Sequence, residues 1–180
     1  EGLYSIAEHL ARYQLEGVGG PINAEAAINT LSSASKFAKH NTATAFLGSL
    51  YLDGYYWTYE QRIDPDIPLG LETLERGVSR NCSICAWVLG DYYLTRAVGD
   101  VGAQQKGHIY LKMAAKLGFD KAQAQLAKMF MLGDGVEKDF DIAYELAGKA
   151  AAQMNTDGIW LTGTMHYLGL GRRVNETIAF

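Results

Sequence analysis

The residues best equipped for chemistry in this chain are two cysteines three apart, in Cys82-Ser83-Ile84-Cys85. Such a pair at a helix N-terminus, where the dipole favours thiolate, can cycle through a reversible disulfide. The same spacing suits two free thiols packed as small hydrophobes. No strand–helix–strand pattern surrounds the pair, so the packed-thiol reading is preferred. A zinc site would need two further ligands, and neither a second CxxC nor an HxxxH occurs. The segment DPDIPLGLETLE sets Asp64, Asp66 and Glu75 at the first, third and twelfth places of a calcium loop. Pro68 takes one ligand place and Gly70 falls one position late, so that site is rejected. His9, His40, His108 and His166 are scattered and form no HExxH, and there is no GxSxG. Gly17 and Gly19 complete no phosphate-binding GxGxxG. No catalytic, cofactor or metal residue is expected, and the chain reads as a non-enzyme. Asn81-Cys82-Ser83 and Asn175-Glu176-Thr177 are glycosylation sequons placed in expected turns.

What positions these residues follows from composition and periodicity. The 180 residues are 48% hydrophobic and 20% charged, which is globular rather than disordered. A net charge of -4 disfavours binding to nucleic acid or an anionic membrane surface. No apolar run approaches the length that spans a bilayer, so no direct membrane insertion is expected. The chain opens at Glu1 rather than Met, which reads as a fragment of a longer or processed chain.

The sequence repeats itself. The clearest unit, Ala114 to Ala151, opens with AAxxG, breaks at GDGV, resumes after Asp139 and closes with AA. Its break recurs at Gly17, Gly54, near Arg96, and at Gly169, giving spacings of 37, 42, 37 and 36 residues. Each half-unit is helical in pattern: Ala122, Leu126 and Phe130 fall at i, i+4 and i+8, one apolar stripe. A small residue follows the Leu position in every unit, at Ala11, Gly48, Gly90, Ala127 and Gly163, which would let two helices approach closely. Gly133 reads as a helix stop. Asn23, Asp66, Asp139 and Asn175 read as caps ahead of the second helices. One such helix pair cannot bury its apolar faces, so neighbouring pairs must stack into a solenoid of five first and four second helices.

The pattern AAxxG, AxxxLGxxYxxGxGV, then Asp and AxxxxxxAA resembles the Sel1-like repeat family, a relative of the tetratricopeptide repeats. Over the whole chain it implies an all-α, α/α superhelical solenoid with repeats at about 1-41, 42-81, 82-118, 119-154 and a partial one at 155-180. Gln14 and His166 depart from the pattern at the Tyr position, Thr162 at the Leu position, and Arg96 and Ala97 at the turn glycines. The resemblance implies an adaptor or scaffold that holds partner proteins without chemistry of its own, as one part of a larger complex. It also implies an extracytoplasmic setting, the bacterial periplasm or the endoplasmic-reticulum lumen. Two alternatives come with it: an immunity protein that neutralises a toxic enzyme, and a hydrolase of the penicillin-binding type. The latter branch is cysteine-rich, which this chain is not.

The resemblance further implies that first helices line the concave face. A stripe two before, two after and five after each Leu position would point there. It comprises Glu8, Arg12 and Leu15; Ala45, Ser49 and Leu52; Trp87, Asp91 and Leu94; Ala124, Lys128 and Met131; and Trp160, Thr164 and Tyr167. Arg12, Trp87, Asp91, Leu94, Lys128, Met131, Trp160 and Tyr167 are the candidate contacts, since aromatic and arginine side chains dominate binding energies. The insertion YYWTYEQRIDPDIP adds Tyr55, Tyr56 and Trp57, either as a recognition loop or as a lid on its repeat.

Overall fold

A computed structural model describes residues 2–36, 41–56, 62–96 and 99–171, with the backbone alone for residues 2–5. Among them nine helices follow one another: α1 (Gly2–Glu16), α2 (Ala24–Ser35), α3 (Asn41–Asp53), α4 (Ile67–Val78), α5 (Ser83–Arg96), α6 (Val101–Lys116), α7 (Asp120–Leu132), α8 (Phe140–Ala152) and α9 (Thr156–Leu168). Trp57, Ala97, His40 and Asn175 lie outside the described residues.

Local chemistry sets the helix ends. Asn23, Asp66 and Asp139 each accept a backbone N–H three residues on, at 2.9, 3.1 and 2.9 Å. Asp100 and Asn155 do the same for α6 and α9, two caps the repeat pattern did not single out. Gly133 closes α7 at φ 76, a left-handed conformation that a Cβ would strain, and donates to the Met129 carbonyl at 2.8 Å.

Successive helices pack as antiparallel hairpins, and the hairpins stack. First helices also touch first helices, α1 on α3, α3 on α5 and α7 on α9, whereas no comparable packing joins the described second helices. The side on which elements crowd is the inside of the curve, so α1, α3, α5, α7 and α9 form the inner wall. The core is a chain of small clusters, such as Ala86, Leu111, Ala114, Ala122 and Leu126 between the third and fourth pairs. This is an all-α solenoid.

Close approach depends on small residues. Gly90 of α5 meets Gly107 of α6, where a Cβ on Gly90 would lie 3.0 Å from the Leu111 nitrogen. Ala11, Gly48 and Ala127 are likewise buried. Gly163 of α9 has nothing near a hypothetical Cβ among the described residues, and the second helix expected to follow α9 lies outside them. Leu126 is 6% exposed and Ala127 1%. Leu126→Ala is expected to lower unfolding free energy by about 2–5 kcal/mol through the cavity it leaves. Ala127→Leu is expected to cost about 1–3 kcal/mol by overpacking. Denaturant melts check both, and a neutral Ala127→Leu would remove that contact from the account.

Two further corrections concern the insertion and the cysteines. Tyr55–Tyr56 and Arg62–Ile63 form a short antiparallel pair, β1 and β2, within what the sequence presents as a loop. Ile63 is buried and Tyr55 half-buried against the α1–α3 core, so this ribbon closes over its repeat, while Tyr56 points to solvent. The cysteines are bonded to each other rather than held as two free thiols. Cys82 sits just ahead of α5 and Cys85 one turn inside it, 5.2 Å apart at Cα, a separation that a disulfide accommodates. Both are fully buried, and the Cys85 N–H points at the Cys82 sulfur at 3.0 Å. Asn81 occupies an exposed turn at φ 60.

Candidate functional site

One first-helix spacing differs from the rest. At the position two before the Leu, α3 carries Ala45 and α7 carries Ala124, each buried where the next first helix leans in. In α5 that position holds Trp87, and α5 and α7 approach each other less closely than the other first-helix neighbours do. An indole in place of a methyl wedges the two helices apart. Trp87 fills part of the opening: its ring lies 5.5 Å from Phe119, and its Nε1 donates to Gln125 Oε1 at 3.1 Å.

The rest of the opening is a groove of about 640 Å³ on the inner wall, running from α5 across α7 to α9. Trp87 forms one end and Trp160, 62% exposed on α9, the other. Lys121 and Lys128 line it from α7, and Asp157 from the first turn of α9. Lys121 places its ammonium 5.3 Å above the Trp87 ring, within cation–π range. Asn155 caps α9 while donating to Asp120 Oδ2 at 2.7 Å, which fixes α9 against the start of α7. The result is two aromatic walls with charges of both signs at the edge. That arrangement suits an apolar side chain flanked by polar or charged backbone neighbours. No group of three metal-ligating side chains occurs among the described residues.

The stripe read from the sequence is only partly on this surface. Trp87, Lys128 and Trp160 converge on the groove, with Ala124 at its floor. Leu15 and Leu52 are buried instead. Leu94 and Met131 are half-buried against core clusters. The reason is geometric. Each second helix crosses its partner near that partner's C-terminal end, so Gly70 packs on Leu52 and Gly107 on Leu94. Arg12 lies far along the array, its guanidinium 5.4 Å over the Phe46 ring. Tyr167 is 89% exposed but does not line the groove. Tyr55 and Tyr56 belong to the ribbon, apart from it. Lys121, Gln125, Asn155 and Asp157 were missed. The row Lys121, Gln125, Lys128 at i, i+4, i+7 is the signal that could have found three of the groove's polar contacts.

Asp91 is half-buried on α5 beside Arg96, which ion-pairs with Asp53 of α3. Burial raises its pKa above 3.8; Arg96 pulls the other way and Asp53 adds to the rise. The folded chain therefore holds a proton that the unfolded chain has lost, and stability falls as pH climbs through the range above 3.8. Asp91→Asn is expected to raise the Tm at pH 7 and leave it unchanged near pH 3. A lower Tm for the variant at pH 7 would show that the Arg96 attraction outweighs desolvation.

A helix-pair solenoid with an inner groove is the class that fold and site define. Residues 83–119 and 120–153 match the Sel1 repeat, two adjacent copies of it. Sel1 repeats generally mediate protein–protein interaction and are generally non-catalytic. Among solved structures, the chain is similar to a Sel1 repeat protein from Oxalobacter formigenes, at TM-score 0.70 and 22% identity, over 93% of this chain and 65% of that one. The chain thus spans just under two thirds of that protein's length. More distant likenesses are a protective antigen of uropathogenic Escherichia coli displaying an SLR fold (TM-score 0.39, 20% identity, 93% and 42% covered) and an immunity protein from Pseudomonas aeruginosa (TM-score 0.41, 17% identity, 88% and 69% covered). No curated protein sequence matches. No helix of the described residues is long and apolar enough to cross a membrane.

Proposed function

We propose that this chain is a non-enzymatic interaction module that seats a segment of a partner protein in the groove between α5, α7 and α9. The observation carrying this reading is Trp160, a large aromatic left 62% exposed at the edge of a groove already walled by a second indole. An apolar surface of that size in water is unfavourable, and covering it on binding returns the free energy. The mixed rim of Lys121, Lys128 and Asp157 sets orientation more than affinity.

A photo-crosslinking residue placed at position 160 tests the proposal against the same residue at position 109 on α6, where Ile109 is also exposed. A discrete protein adduct from 160 and none from 109 is the expected outcome. Adducts from 109 alone would place the contact on the second helices and remove the groove. Turnover of a chromogenic β-lactam, abolished by a point mutation, would replace the module reading with a hydrolase.

A further inference from the structure

Away from the groove, a cavity of about 320 Å³ opens between α2 and α4, with α3 at its floor. Its chemistry is one-sided. Among the described residues, Lys36, Arg76 and Arg80 line it and no carboxylate does. Four hydroxyl residues join them, Ser32 and Ser35 from α2, Tyr51 from α3 and Thr73 from α4, with Leu47 and Leu69 completing the lining. We propose that this cavity is a binding site for a phosphoryl-class oxyanion.

Part of the positive charge has a structural use. Both α2 and α4 end here, and each C-terminus carries roughly half a negative charge. Arg80 answers one of them, donating from Nη1 to the Ser35 carbonyl at 2.9 Å. Three full cations against two half charges still leave about two positive charges. Glu72 stands one turn before Arg76 but does not line the cavity, and Glu75 accepts instead from the Tyr110 hydroxyl at 3.4 Å. Arg76 and Lys36 form no ion pair among the described residues.

Thr73 supplies the second, independent observation. It is 1% exposed, and its hydroxyl makes no hydrogen bond among the described residues. A buried hydroxyl without a partner is costly, so such groups normally mark a missing water, ion or ligand. The same position in α2 is Thr30, which donates to Gln14, and in α6 Tyr110, which donates to Glu75. Thr73 instead lines a cavity of cations and hydroxyls, with no bonded acceptor among the described residues. Ser35 already spends its proton on the Ser32 carbonyl at 2.9 Å, leaving Thr73, Ser32 and Tyr51 as the available hydroxyl donors. Donors arriving from three helices fit the several oxygens of a tetrahedral anion better than the two of a planar carboxylate.

Titration calorimetry with inorganic phosphate, at constant ionic strength in sodium chloride, tests this on the full chain. Saturable binding is expected, with acetate at least about tenfold weaker. Glycerol 3-phosphate serves as a second probe: tighter binding than inorganic phosphate assigns the site to an esterified phosphoryl group, weaker binding to the free ion. Arg76→Gln should weaken phosphate about tenfold or more. Thr73→Val should weaken it severalfold while leaving the phosphate-free Tm unchanged or higher, because the hydroxyl it removes has no partner. Phosphate acting no differently from chloride, acetate binding equally well, or a lower phosphate-free Tm for Thr73→Val would each overturn the site.

Discussion

Trp160→Ala is expected to weaken binding of the groove's partner by about 30-fold or more, with the Tm within a degree or two of the parent. The size of the effect comes from where the indole sits. Aromatic side chains that anchor a contact cost about 2 kcal/mol or more when truncated. An indole that is already 62% exposed gives up little packing in the free protein. Trp87→Ala should separate from it. That ring packs on Phe119 and is held by Gln125, so its loss should lower stability as well as affinity. If Trp160→Ala lowers the Tm by many degrees, the indole is a core residue and the groove has lost its main anchor.

Gly158→Val is the largest stability effect expected, about 4 kcal/mol or more, and one that surrounding side chains cannot relieve. A single Cβ there would lie 2.7 Å from the Ala151 nitrogen and 2.6 Å from the Ala150 Cβ. Backbone cannot rotate away as a leucine tip can, so α9 must lift off α8. Because α9 carries Trp160 and Asp157, the same change should also open the groove. Denaturant melts read the first consequence and partner titration the second. A Gly158→Val variant with parental stability would mean that α9 does not press on α8 as described.

How much of this was legible in advance depended on the range of each interaction. Asn23, Asp66 and Asp139 could be read as caps because the bond each makes spans three residues. The helix pairs were legible because burial on one face leaves a 3.6-residue period. Gly90 could be read as a close contact because it meets Gly107 and Leu111 of the next helix, whereas the helix expected to meet Gly163 lies outside the described residues. The disulfide was hidden because two thiols and one disulfide share the same CxxC spacing. Trp87 and Trp160 could be placed on the inner wall from their position before the Leu. Asn155 and Asp157 could not, because the groove exists only once Trp87 has spread α5 from α7, a distance set by packing between repeats.

The central claim is that the inner wall around α7 and α9 is where a partner sits. Hydrogen–deuterium exchange of the chain with its cross-linked partner bound and unbound tests it most directly. Slowed exchange is expected over Asp120–Leu132 and Thr156–Leu168, with the α6 and α8 backbones unchanged. Slowing confined to α6, α8 or the ribbon at Tyr55–Tyr56 and Arg62–Ile63 would contradict it.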